Sequence, residues 1–174
     1  VKVDIPNKKT EDGGDFWQIN PKGYVPALQL DNGEVLTEVA IICQYLADQK
    51  SESGLDAKAG TMARYHEMEA LNFVASEIHK QIGALFNPNY TPEMRDVQKA
   101  VIDRRLTPLE KKLANQDYIA GDAYTAADAY LFTVLNWTGK VGVDLGKYPK
   151  ISALKERVGA RTKVRETLEA EGLV

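Results

Sequence analysis

Between Thr61 and Phe86 the apolar residues Met68, Leu71, Ala75, Ile78, Ile82 and Leu85 recur alternately three and four positions apart, the spacing that lays one buried stripe along an α-helix. A stripe of that length needs other elements to cover it, because packing rather than propensity stabilises most protein helices. The rest of the chain supplies them. Thr91-Pro92-Glu93 puts a capping residue before a proline at the first helical position and predicts a helix to about Asn115, kinked or interrupted at Pro108. Thr125-Ala126-Ala127-Asp128 opens another, with a carboxylate three residues after the cap. Shorter helices are expected from Pro149 and Thr162, the last ended by Gly172. From Thr61 onward the chain reads as all helix.

The first 49 residues read differently. Residues 1 to 5 alternate as a short strand, and KKTEDGGD reads as a loop. A strand from Val25 to Leu30 meets another from Glu34 to Leu36 across Asp31-Asn32-Gly33, the chemistry of a tight hairpin turn. Thr37 is placed to cap a helix to about Asp48, with Glu38 at the positive end of its dipole. Residues 50–60, rich in Ser, Gly and charge, read as a linker. The expected organisation is an α/β domain over 1–49, a linker over 50–60 and an all-helical domain over 61–174.

Composition narrows the function. The chain is 44% hydrophobic and 27% charged, with no apolar run near the ~20 residues that span a bilayer, so no membrane partner is expected. A net charge of -3 offers no basic field to nucleic acid. One cysteine, Cys43, lies inside the apolar run VAIICQYL; it reads as a core residue and excludes a disulfide framework. His66 and His79 stand thirteen positions apart with no Cys beside them, so no metal is expected. VKVDIPNKK has none of the order of a signal peptide, and a cytoplasmic location is expected.

Several segments together carry a resemblance: NPKGYVPAL (20–28), LTEVAIICQYLAD (36–48), ALNFVASEIHK (70–80), TAADAYLF (125–132), VLNW (134–137) and the terminal AEGLV. In this order they resemble the bacterial, beta-class-like glutathione transferases, from a point that lacks the first strand and helix, about 25 residues by usual element lengths. The fold implied is an incomplete thioredoxin-like domain followed by a helical bundle. Relatives carry the residue nearest the glutathione sulfur in the loop after that first strand, and Cys43 is not placed to replace it. The resemblance makes the chain read as a fragment of a complete enzyme.

The resemblance also assigns roles. Taken alone, Pro26 reads as a trans proline at a strand edge; the resemblance implies a cis Val25-Pro26 bond, with the Val25 N–H and C=O offered to the cysteinyl backbone of glutathione like an added strand. Alone, Glu38 is an ordinary acid at a helix start. By resemblance it meets the γ-glutamyl ammonium while the helix N-terminus meets the carboxylate; Val39 stands where relatives have Ser or Gly, keeping the backbone donor and losing a hydroxyl. Lys8, by type a solvated loop lysine, matches the lysine that meets the glycine carboxylate. Asn72, Ser76 and His79 fall at i, i+4 and i+7, on a polar strip roughly 90° round the helix from the apolar stripe. In the family such a strip contacts glutathione, with Lys80, Phe86 and Trp137 near the electrophile. His79 is also the catalytic candidate, since an imidazole of ordinary pKa about 6.5 can hold a thiolate or pass a proton; the alternative is a histidine hydrogen-bonded at a domain interface. Trp137 alone reads as core, and Asp128 as a structural cap.

The implied activity is conjugation of the glutathione thiolate to small electrophiles, with glutathione as co-substrate and a homodimer as the assembly. Alternatives are a glutathione-dependent reductase or dehalogenase, and a non-catalytic binding protein on the same fold.

Overall fold

The computed structural model describes residues 1–174 and divides into two compact units, Val1–Lys50 and Ser51–Val174. In the first unit, β1 (Val3–Asp4) pairs antiparallel with β2 (Lys9–Thr10), Val3 opposite Thr10. The strand expected over 1–5 is thus two residues long, and its partner lies within the stretch read as a loop. The reason is local: Asp4 accepts from the Asn7 backbone N–H at 3.1 Å and its side-chain amide at 2.9 Å, closing a turn between the strands. Asp15 then caps α1 (Phe16–Ile19) by accepting from Trp17 N–H, and Phe16 is buried.

The expected hairpin is present with shorter arms. β3 (Ala27–Gln29) pairs antiparallel with β4 (Val35–Thr37), Leu28 opposite Leu36. Leu30 N–H donates to Glu34 C=O at 2.8 Å, and Gly33 turns the chain at φ 85°, a left-handed conformation that suits glycine. α2 (Val39–Asp48) starts later than expected: Thr37 belongs to β4, and Glu38 is the cap residue at φ 70°, ψ 117°. The run VAIICQYL is less buried than its composition suggests. Ile42 and Ala47 are buried, Cys43 is half-buried, and Ile41 and Leu46 are exposed, so the expectation of Cys43 as a core residue is corrected to a partly covered position.

The second unit begins with a 3₁₀ turn, Ser51–Ser53, and residues 51–60 belong to it. A buried ionic contact ties them down. Arg64 Nη1 lies 3.1 Å from Asp56 Oδ2 and donates to Ala57 C=O, while Glu67 accepts from Ala57 N–H at 2.7 Å. Arg64 and Glu67 therefore occupy the buried face of α3 (Met62–Phe73), and Met68, expected in the apolar stripe, is 41% exposed. Burying paired charges forfeits hydration that the pairing must return, which is why a count of apolar residues alone misplaces this face.

The helix continues past Phe73 as a π-helical segment, Val74–His79, and then as α4 (Lys80–Ala84). A π turn bonds i to i+5 and accommodates one extra residue, so side chains beyond it are rotated from the positions a uniform 3.6-residue period gives them. Ser76 Oγ donates to Asn72 C=O at 2.9 Å, drawing on a carbonyl of the same ladder. Val74, Ile78, Ile82 and Leu85 are buried along this helix and Ala75 is half-buried.

α5 (Pro92–Lys112) starts as expected, with Thr91 accepting from Met94 N–H, and runs through Pro108 without interruption. Proline removes one ladder donor; Leu106 and Leu109, buried on either side of it, keep the helix packed. α6 (Ala126–Leu135) is the centre of the unit: Ala127, Leu131, Val134 and Leu135 are wholly buried, and it packs against α3, the π segment and α8 (Pro149–Gly159). A short α7 (Thr138–Val141), absent from the sequence reading, follows α6. α9 (Thr162–Ala170) ends before Gly172, where Leu173 N–H returns to Leu168 C=O. No helix is long and apolar enough to cross a membrane.

Candidate functional site

In the first unit the site is built around one loop, Asn20 to Val25. Asn20 is 2% exposed and pins the loop from inside: its Nδ2 donates to Tyr24 C=O at 2.6 Å, its Oδ1 accepts from Lys22 N–H and its C=O accepts from Gly23 N–H. Gly23 is required here, since a Cβ on it would stand 2.5 Å from the Trp17 ring. The Val25-Pro26 bond that leaves the loop is cis. Val25 is 42% exposed, and neither its N–H nor its C=O is engaged by another group of the chain.

Two charged side chains reach the same loop. Lys8, half-buried and at φ 53°, donates from Nζ to Gly23 C=O at 2.7 Å and stands 5.9 Å from the Trp17 ring centroid. Glu38 Oε1 lies 2.8 Å from Lys22 Nζ. The structure thus brings Lys8, Val25, Pro26 and Glu38 to one short segment. At the head of α2, Ile41 and Ile42 N–H both donate to Glu38 C=O, while Val39 and Ala40, the first two helical residues, present N–H groups with no intrahelical acceptor. A carboxylate beside free helix N–H groups can meet an ammonium and a carboxylate carried on one carbon.

In the second unit the expected polar strip divides. Asn72, Ser76 and Lys80 are exposed, with the Ser76 hydroxyl spent on its own helix. His79 is half-buried in an aromatic cluster. Its ring lies edge-on to Trp137 at 4.8 Å between centroids, Phe86 is 6.0 Å from Trp137, and Nδ1 is 2.6 Å from the Tyr130 hydroxyl. Burial, and after it the charge of Lys80, holds the His79 pKa below the ordinary 6.5, which favours the neutral ring at neutral pH. Trp137 is half-buried and Phe86 is 49% exposed, so both offer apolar surface.

Sequence reasoning missed Asn20, Lys22 and Tyr130. The first two sit inside the NPKG segment, where the loop signal hid their individual bonds; Tyr130 lies inside TAADAYLF, where the sequence reading gave a role to Asp128 alone. Asp128 in that segment is structural: wholly buried, it accepts from Ile119 N–H at 2.8 Å, Thr125 N–H at 2.9 Å and Thr125 Oγ1 at 3.1 Å.

Comparison with known proteins identifies the family. Residues 3–54 match the family described as glutathione S-transferase, N-terminal domain, and residues 73–162 the glutathione S-transferase, C-terminal domain. Glutathione S-transferase GstA of Escherichia coli O157:H7 is 40% identical over 173 residues, covering 99% of this chain and 86% of its own. Among solved structures, a glutathione transferase from Methylococcus capsulatus superposes with a TM-score of 0.95 at 48% identity, over 99% of this chain and 85% of that one. A sphingomonad glutathione S-transferase complexed with glutathione gives 0.95 at 42%, over 100% and 87%. With both domains matched in order and close relatives aligned over nearly its whole length, the chain belongs to the glutathione S-transferase family.

Proposed function

We propose that the protein conjugates the thiolate of glutathione to small electrophiles, binding the tripeptide as co-substrate through Lys8, Val25, Pro26, Glu38 and Val39. The observation that carries this reading is the head of α2, where Glu38, its carboxylate 2.8 Å from Lys22 Nζ, directly precedes Val39 and Ala40, whose N–H groups have no intrahelical acceptor. Together they answer both charges of a γ-glutamyl head. The unengaged Val25 N–H and C=O suit the backbone of the central cysteinyl residue, as a strand added to an edge. The glutathione complex of the sphingomonad relative supports the same ligand.

The reading assigns Asn72, Ser76 and His79 to glutathione and Lys80, Phe86 and Trp137 to the electrophile. In the reaction the glutathione S–H loses its proton to solvent water, the sulfur attacks the electrophilic carbon, and the leaving group departs with the displaced electron pair. A thiol of ordinary pKa is mostly protonated at pH 7, so a group that stabilises the sulfur anion raises the reactive fraction; His79, neutral at that pH, is the proposed catalytic contact. A homodimer is part of the proposal, supported by the exposed Met62, Tyr65 and Met68 on α3 and Met94 and Val97 on α5, apolar side chains that a second copy would cover. The proposed location is the cytoplasm.

Retention on immobilised glutathione together with conjugation of 1-chloro-2,4-dinitrobenzene tests the reading. Both are expected. Retention without turnover would make the protein a binding module, and neither would overturn the proposal.

A further inference from the structure

The geometry points to Tyr130 as a positioning residue that donates its hydroxyl to His79 Nδ1 and so keeps the ring proton on Nε2, making His79 a hydrogen-bond donor rather than a proton acceptor. The 2.6 Å separation of the Tyr130 oxygen from Nδ1 lies below the range of N–H donors and within that of hydroxyl donors. The acidities agree: a phenol, of pKa about 10, is the better donor of the two, and a neutral imidazole nitrogen is the better acceptor. Tyr130 is 7% exposed on α6, the most buried helix of the unit, so its hydroxyl is held in place by the core. Trp137 closes on the ring edge-on, at 79° and 4.8 Å. One hydrogen bond and one aromatic face thus fix both the tautomer and the tilt of His79.

The surrounding charges do not compete for Nδ1. Lys80, next in the chain and the charge that acts on the ring, is a cation and offers Nδ1 no acceptor. With Nδ1 occupied, Nε2–H is the one ring donor left to His79. A neutral N–H donor stabilises an anion without removing a proton from it, which suits a sulfur already ionised or the charge that develops on the electrophile. This catalytic consequence rests on the assignment of His79 proposed above; the tautomer does not.

Nitrogen-15 NMR of the imidazole in the unmutated protein reads the tautomer directly. An unprotonated Nδ1 with a protonated Nε2 is expected, and a protonated Nδ1 overturns the inference. In Tyr130→Phe, which keeps the ring in the core, loss of a donor to the neutral form should move the His79 titration upward; a downward or null shift overturns it. For turnover, Tyr130→Phe should lower kcat on the order of tenfold with little change in KM for glutathione, and should cost nothing further in a His79→Gln background, since its effect passes through that ring. A further loss in that background overturns the positioning role. If His79→Gln itself leaves kcat intact, the role of His79 in conjugation fails, while the NMR result still decides the tautomer.

Discussion

Lys22 Nζ lies 2.8 Å from Glu38 Oε1 and 3.2 Å from Thr37 Oγ1, so the carboxylate at the head of α2 already holds an ammonium group. A ligand ammonium must share or displace it. The two side chains are 53% and 65% exposed, and an ion pair in that setting contributes about 0–1 kcal/mol. Lys22→Met should therefore tighten glutathione binding by no more than about fivefold, as read by titration calorimetry. Tenfold or greater weakening would mean that Lys22 contacts the ligand itself.

The titration of His79 has a sign that can be checked. Burial, then Lys80, depresses its pKa below 6.5, so between the folded value and 6.5 the unfolded chain binds more protons than the folded one. Stability from this residue is fully present above 6.5 and is lost as the pH falls through the window. Proton NMR should place its midpoint below 6.5, and denaturant unfolding of His79→Gln should lose stability less steeply than the unmutated protein as the pH falls below 6.5.

Asp128 should matter to folding and leave binding unaffected. Its wholly buried carboxylate answers the Ile119 and Thr125 N–H groups, and burial raises its pKa in opposition to those bonds. Asp128→Ala removes the cap and strands two buried donors, a loss of about 2–4 kcal/mol. Chemical denaturation measures it. Affinity for glutathione in the folded fraction should be unchanged.

Phe86 is expected to act on the electrophile. Its ring is 49% exposed and lies edge-on to Trp137, 6.0 Å between centroids. Phe86→Ala should raise KM for chlorodinitrobenzene on the order of tenfold by removing apolar contact area. Affinity for glutathione should hold, and stability should change by less than about 1 kcal/mol. Steady-state kinetics with each substrate varied in turn separates the two effects.

Much of this arrangement was legible in the residues because their signals are local. Asp31-Asn32-Gly33 turns the β3–β4 hairpin, Thr91-Pro92 starts α5 and Thr125 with Asp128 caps α6, each through bonds made within a few positions. The errors arise where distant partners decide. Met68 left the apolar stripe because Arg64 and Glu67 took the buried face with Asp56 and Ala57 as partners. The π segment, Val74–His79, rotates His79 relative to a uniform helical period and has no sequence signature beyond Ser76 four residues after Asn72. Tyr130 carries no local signal of its own, because its partner His79 stands 51 positions earlier in the chain.

Glutathione binding to the unmutated protein and to Glu38→Gln, measured side by side by titration calorimetry, probes the head of α2 most directly. Removing a charge-assisted bond to the γ-glutamyl ammonium should weaken a saturable, one-to-one isotherm by about 10- to 100-fold. An isotherm that is unchanged by the substitution, or no saturable binding to either protein, would contradict the assignment of Glu38 to glutathione.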